Sequence, residues 1–313
     1  MLAFLLRRAV TGVLTLLAIC AVGFFLLYLS AGDTARNLVG QTAAQEIVDR
    51  KSAELGLDRS LVVQFGDWAA GAVRGDLGRS WYSGQPVAEA LLTRLPVTLS
   101  LTIGAVLLSA VVAVALGAVA ARRRGAVDRA LQITSVTAAA VPSFLVALVL
   151  VVTFAISLRW VPATGYIRPG DSVVGWLSTI ILPVIALSLG AIAAISQQIR
   201  GAMIDALRLD YVRTLRARGL PYSRVINRHV LRNAAGPALS TLGLQFVVIF
   251  GSAVVVEQVF AIPGLGQTAV AATGQGDVPL VMGVVIVTAI VVVLVNFAVD
   301  LLQAWLNPKV RLS

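Results

Sequence analysis

The chain has 313 residues, of which 58% are hydrophobic and only 13% charged, and a mean hydropathy of +0.90, too apolar for a water-soluble domain. Its net charge of +10 is gathered in short segments between apolar runs, which reads as a topology signal rather than a nucleic-acid footprint. One cysteine excludes an internal disulfide framework, and one histidine without acidic or thiol neighbours at ligand spacing excludes a metal cluster of the usual kind.

A helix needs about 20 apolar residues to cross the hydrocarbon core, so charge-free runs of that length predict spans. Six occur: Ala9–Leu29, Leu95–Ala121, Ala130–Leu158, Ser172–Ile199, Asn233–Val256 and Val278–Val299. The expected fold is therefore an all-α polytopic membrane protein with six transmembrane helices.

The first run follows Arg7 and Arg8. A secretory signal has an apolar core of only about 7–15 residues and a small-residue cleavage site. This run is longer and no such site follows, so residues 1–29 read as an amino terminus with a retained first helix. Cys20 lies in it and reads as packing.

Residues 30–94 are too many for a structureless connection. Thr42-Ala43-Ala44-Gln45 fits a capping box that starts a helix, and Gly56 would end it. Asp58 is placed to cap a second helix, on which Leu61, Phe65 and Trp68 share a face until Gly71 and Gly75 break it. "GDLGRSWYSGQPV", Gly75 to Val87, is rich in turn residues. The segment is either a compact helical domain beside the pore mouth or a passive loop.

From residue 95 to 313 the chain reads as a core of five spans. In the second, Gly104, Ser109, Ala113 and Gly117 allow close helix contact. Pro142 and Pro183 fall inside the third and fourth, as hinges along a pathway or as packing kinks.

Between the fourth and fifth spans, residues 200–236 are strongly basic. Met203, Leu207, Tyr211 and Leu215 recur every four residues and predict one apolar helix face, while Arg213 and Arg216 lie on others. Gly219-Leu220-Pro221 predicts a sharp corner, with Gly closing one helix and Pro opening the next. Tyr222–Arg232 is expected to form a short second helix carrying Val225 and His229, after which Asn233 to Pro237 turns the chain back. Spacing alone leaves two uses open: a knob for a groove on a partner protein, or a helix pair lying on anionic lipid. His229 reads as a packed or hydrogen-bonded residue of the corner.

Glu257 and Asp300 lie at the ends of the last two runs, where water is expected to reach them. They read as interfacial caps or salt-bridge partners, with a place at an outer gate as the other reading for Glu257. Pro263-Gly264-Leu265-Gly266 is expected to be a rigid turn. Orientation follows from the basic residues of short segments: Arg7, Arg8, Arg122, Arg123, Arg124, Arg129, the arginines of 200–236, Lys309 and Arg311 place both termini inside.

"YVRTLRARGLPYSRVINRHVLRNA", Tyr211 to Ala234, resembles the EAA loop of binding-protein-dependent ABC importer permeases, in the dipeptide/oligopeptide/nickel branch. The general pattern is Glu-Ala-Ala, three residues, Gly, nine residues, Ile-x-Leu-Pro. Gly219 takes the glycine, Arg213-Thr214-Leu215 the first three positions and His229 to Arg232 the last four. "LGLDRSLVVQFGDW", "GDLGRSW", "VVEQVFAIPGLGQ" (Gln258 where Thr is usual) and "NFAVDLLQAWLNPKVR" extend the likeness along the chain, to the B-type subunit.

That resemblance implies a type I ABC importer permease fold in the bacterial cytoplasmic membrane. It implies a pairing with a homologous C-type permease, two ABC ATPase subunits and an extracytoplasmic substrate-binding protein, with di- or oligopeptides as cargo. In such a loop Tyr211, Arg213, Arg216, Gly219, Leu220, Pro221, Val225 and His229 would couple to the ATPases. Pro142, Pro183, Glu257, Pro263 and Gly264 are the candidate pathway or gate residues.

The chain is not expected to be an enzyme. A P-loop needs glycines before a lysine, and neither Lys51 nor Lys309 has them, so ATP and Mg belong to partner subunits. Nickel chelate, haem or glutathione are the alternative cargoes within the same architecture. A self-sufficient secondary transporter is the rival class; it would carry paired intramembrane charges or interrupted inverted repeats, which the six runs do not display.

Overall fold

The computed structural model describes residues 2–29, 34–123 and 125–306. Arg124, Lys309 and Arg311, used above for orientation, lie outside the described residues, as does Asn307 of the last motif. Every regular element described is helical; the only β pairing among the described residues is one isolated bridge, Arg79 to Pro86.

The elements are α1 (Leu2–Leu29), α2 (Thr34–Val39), α3 (Gln45–Glu54), α4 (Leu61–Val73), α5 (Val87–Arg122), α6 (Ala126–Ala140) and α7 (Ser143–Leu150). They continue with α8 (Val173–Leu207), α9 (Asp210–Ala217), α10 (Tyr222–Arg224), α11 (Leu231–Val259), α12 (Leu265–Gln275) and α13 (Val278–Leu306). π-helical turns prolong α7 over Val151–Ser157 and join α10 to α11 over Val225–Val230. Among the described residues five helices are long and apolar enough to cross a bilayer, or six if the bent pair of α6 and α7 with its π turn is one span.

The third expected span is not one straight helix. α6 and the α7 helix with its π turn are bent by 93°. Pro142 stands between them at φ −60° and ψ 137°, capping α7 instead of kinking a continuous rod. Proline drives the residue before it out of the helical region, and Val141 is accordingly extended at ψ 121°. Pro183 behaves differently: α8 continues through it and buries it.

The chain forms two compact units: Met1–Val97 with Pro263–Leu294, and Thr98–Ile262 with Val295–Ser313. In the first, Phe24 is fully buried beside Val278 and Met282, with Tyr28, Phe65, Trp68 and Trp81 around it. Phe24 stacks on Tyr28 at 4.0 Å between centroids and meets Phe65 edge-on at 5.2 Å. The expected face of α4 is therefore the one that packs, through Phe65 and Trp68. Its caps are not those expected. Ser60 precedes α4 and Ala44 precedes α3, neither with a side-chain cap bond, and Gln45 bonds Asp49 at 2.8 Å instead of closing a box with Thr42. Thr42 lies two residues too early to reach the first turn.

In the second unit α8 is the central helix, with α6, α7 and α11 against it. The small residues of α5 let α8 approach closely. A Cβ on Gly104 would stand 3.0 Å from Val184, and one on Gly117 would stand 2.8 Å from the Ser196 carbonyl. Between them Ser109 donates to the Ser188 carbonyl at 3.2 Å. The Gly117 neighbour is backbone, which cannot swing aside. Gly117→Leu is therefore expected to lower stability by about 1–3 kcal/mol or more, read as a drop in thermal unfolding temperature of the solubilised protein. A variant as stable as the parent would contradict this packing.

Candidate functional site

The basic segment is built around one sharp corner. α8 runs on to Leu207, two residues separate it from α9, and α9 ends where Gly219 takes φ +80°. The Gly219 amide donates to the Arg216 carbonyl at 3.0 Å and the Leu220 amide to the Leu215 carbonyl at 3.3 Å. This pair of bonds is the Schellman closure, and it needs a left-handed residue at the glycine. Pro221 then caps α10 from an extended conformation, φ −63° and ψ 140°.

Three expectations about this segment change. The apolar stripe Met203–Leu207–Tyr211–Leu215 is divided between α8 and α9 rather than carried by one helix. Tyr222 to Arg232 is not a separate helix: it passes through the π turn into α11, and Asn233 to Pro237 is helix, not a turn. A proline inside a helix frees the carbonyl four residues before it, here that of Asn233, without ending the helix, and α11 runs on through Pro237. Finally, the apolar residues mostly face inward. Val212, Val225, Ile226 and Val230 are buried, so Val225 holds the corner together instead of offering a contact.

What the corner exposes is mainly basic. Arg208, Arg213, Arg216, Arg218, Arg224, Arg228 and Arg232 are all exposed, with Leu209, Pro221 and Tyr222 among them. Leu220 is half-buried. The Arg216 guanidinium lies 5.6 Å from the Tyr222 ring centre, bracing the corner across its two arms. Tyr211 is half-buried and its hydroxyl accepts from Asn233 Nδ2 at 3.4 Å. His229 is half-buried, and among the described residues no group of three or more His, Cys, Asp or Glu could hold a metal ion.

Beside the corner, Gln197, Gln198, Gly201, Asp205, Asn233 and Pro237 line a cleft of about 480 Å³.

One of the two acids departs from the expectation of a water-reached boundary group. Glu257 is fully buried and accepts from the Thr98 hydroxyl at 2.6 Å. Just beyond it α11 closes with Ile262 donating to the Glu257 carbonyl at 2.9 Å, while Ala261 sits in the left-handed region at φ 48°, unusual for a residue with a Cβ. Asp300 is half-buried. Pro263 is exposed and Gly264 caps α12, so Leu265 and Gly266 belong to a helix rather than to a four-residue turn.

Sequence reasoning passed over Asp277. It is fully buried, accepts from the Ser80 hydroxyl and the Trp81 amide (3.2 Å), and caps α13 through the Leu280 amide at 3.4 Å. The Gly-Asp-Val-Pro order at 276–279 carried a helix-start signal, but its partner lies 197 positions away.

Residues 113–312 match the family of binding-protein-dependent transport system inner membrane components, and residues 1–102 match the amino-terminal region of such components. The chain belongs to this family. A putative peptide transport system permease of Brucella abortus is 36% identical over 99% of both chains. A probable D,D-dipeptide transport system permease of Escherichia coli is 35% identical over 98% of this chain and 97% of its own. A glutathione transport system permease of Escherichia coli is 33% identical over 99% of both. Among solved structures, an inward-facing MetNI methionine ABC transporter matches with a TM-score of 0.58 at 16% identity, over 69% of this chain and 96% of that one, a likeness of fold.

This permease is thus a multi-pass inner-membrane subunit of an ABC importer. It works with ATPase and binding-protein partners, is not itself catalytic and binds no cofactor, ATP being held by the ATPases.

Proposed function

We propose that the permease carries di- and oligopeptides, as one half of a pore completed by a homologous C-type permease. Both termini face the cytoplasm, residues 30–94 lie outside beside the binding protein, and the corner within 200–236 docks on the ATPases. The reading is supported most by the near full-length similarity to peptide permeases at 35–36% identity. A cleft lined by the amides of Gln197, Gln198 and Asn233 also suits a cargo whose backbone donates and accepts hydrogen bonds.

On this reading ATP-driven closure of the ATPases moves the corner, and the corner moves α8 and α11, which join it without a break in the case of α11. Shifting such a pore from about 1:99 to 99:1 takes roughly 5.5 kcal/mol of differential binding. Glutathione, itself a short peptide, is the second reading, supported by the 33% identical relative.

The test is uptake of labelled dipeptides, oligopeptides and glutathione into vesicles holding the permease with its second permease, ATPases and binding protein. ATP-dependent accumulation of dipeptides or longer peptides is expected. Uptake of glutathione alone would move the assignment to the second reading, and ATP-independent uptake by the permease alone would overturn both.

A further inference from the structure

The turn between α5 and α6 is tied at both ends to the helices of the basic corner. Arg122, the last residue of α5, donates through Nη2 to Oδ1 of Asn227 in the π turn before α11. Beyond the turn, in the first turn of α6, Asp128 receives both arms of Arg200: Nε to Oδ1 at 2.5 Å and Nη2 to Oδ2 at 2.6 Å.

Arg200 stands in α8 about 10 Å along the axis from the helix end, given a rise of about 1.5 Å per residue. Only Arg208 and Leu209 separate that end from α9.

The pair is well shielded, the two side chains being 23% and 12% exposed. A buried ion pair contributes little net stability over apolar packing, so its presence calls for another explanation. A two-pronged guanidinium–carboxylate contact fixes direction as well as distance. A small gap of about 10 Å³ lies beside it among α5, α6 and α8, lined by Gly117, Gln132, Ser135, Ser196 and Arg200 among others. α6 is in turn the first arm of the 93° bend.

We propose that Asp128 and Arg200 form a strut that carries movement of the corner from α8 into the bent third segment, making them positioning residues for the coupling of ATP hydrolysis to transport. The inference rests on the reading of the corner as the ATPase-docking site. The strut works as a fixed-length link: when α9 is displaced, α8 moves with it, and the forked contact obliges α6 to follow. The Arg122–Asn227 bond holds the end of α5 to the other arm of the corner, so the α5–α6 turn is steered from both sides.

The experiment uses the full complex in vesicles and reads cargo moved per ATP hydrolysed. Asp128→Asn is expected to lower transport by about tenfold, with ATP hydrolysis within about twofold of the parent, so that the ratio falls. Arg200→Lys keeps the charge but loses the fork and is expected to fall between the two. The exchange Asp128→Arg with Arg200→Asp is expected to recover part of the ratio. An unchanged ratio in both single variants overturns the strut. So does a loss of complex yield with both rates falling in proportion, which is the mark of a merely structural pair; if Asp128→Asn does not assemble, Arg200→Lys decides alone. Gly219→Val in the same assay separates the levels. If it leaves the ratio intact, the docking reading fails; if it uncouples while both strut variants do not, only the strut fails.

Discussion

Replacing Gly219 by valine should cut ATP-driven uptake by about tenfold or more while the complex stays assembled in the membrane. A left-handed conformation costs an L-residue roughly 1–2 kcal/mol, and a β-branched side chain is an outlier there. Gly219 has φ +80°, and a Cβ added to it would meet no atom within 4 Å, so the substitution encounters strain and not collision. The chain therefore relieves it by opening the corner, losing the 3.0 Å and 3.3 Å closing bonds, instead of unfolding. Asparagine, which tolerates this region, should retain more uptake than alanine, and alanine more than valine. Uptake and ATP hydrolysis by the purified complex decide the matter. Parental uptake by the valine variant would mean that the corner's shape is unimportant.

The largest stability effect is expected at Asp277. Truncation to alanine removes the acceptor of a buried hydroxyl and a backbone amide together with a helix cap. Each buried donor left unpaired costs about 1–3 kcal/mol, and a lost cap about 0.5–2 kcal/mol. We expect a loss of about 2–5 kcal/mol in all. An asparagine in place of the acid keeps one acceptor oxygen, so Asp277→Asn should lose roughly half as much. Thermal unfolding of the solubilised protein measures both. Ser80→Ala combined with Asp277→Ala should cost less than the sum of the single changes, because the two side chains share one bond. Strict additivity would show that the contact carries no energy.

Much of the fold was legible because the bilayer simplifies the code. Apolar runs marked the long helices, and the small residues at Gly104, Ser109 and Gly117 marked where α5 meets α8. The corner was legible too, since Gly219 and Pro221 impose local backbone rules that need no distant partner. Other features were hidden for physical reasons. A charge-free run such as Ala130–Leu158 has the same hydropathy straight or bent, so the 93° break was invisible to it. Pro237 carries the local signal of a helix end, yet the helix continues through it. α12 is made of small, weakly periodic residues and gave no strong signal. The burial of Glu257 and the role of Asp277 depend on Thr98 and Ser80, contacts between residues far apart in the chain.

The elbow at Val141–Pro142 also constrains the solvent around it. A helix end leaves up to four carbonyls unserved and a helix start up to four amides, and here both fall together within an apolar stretch. Acyl chains offer such groups nothing, at several kcal/mol for each left bare. Both residues of the elbow are exposed in this chain. Within a bilayer such an elbow is accommodated only beside water or another polypeptide.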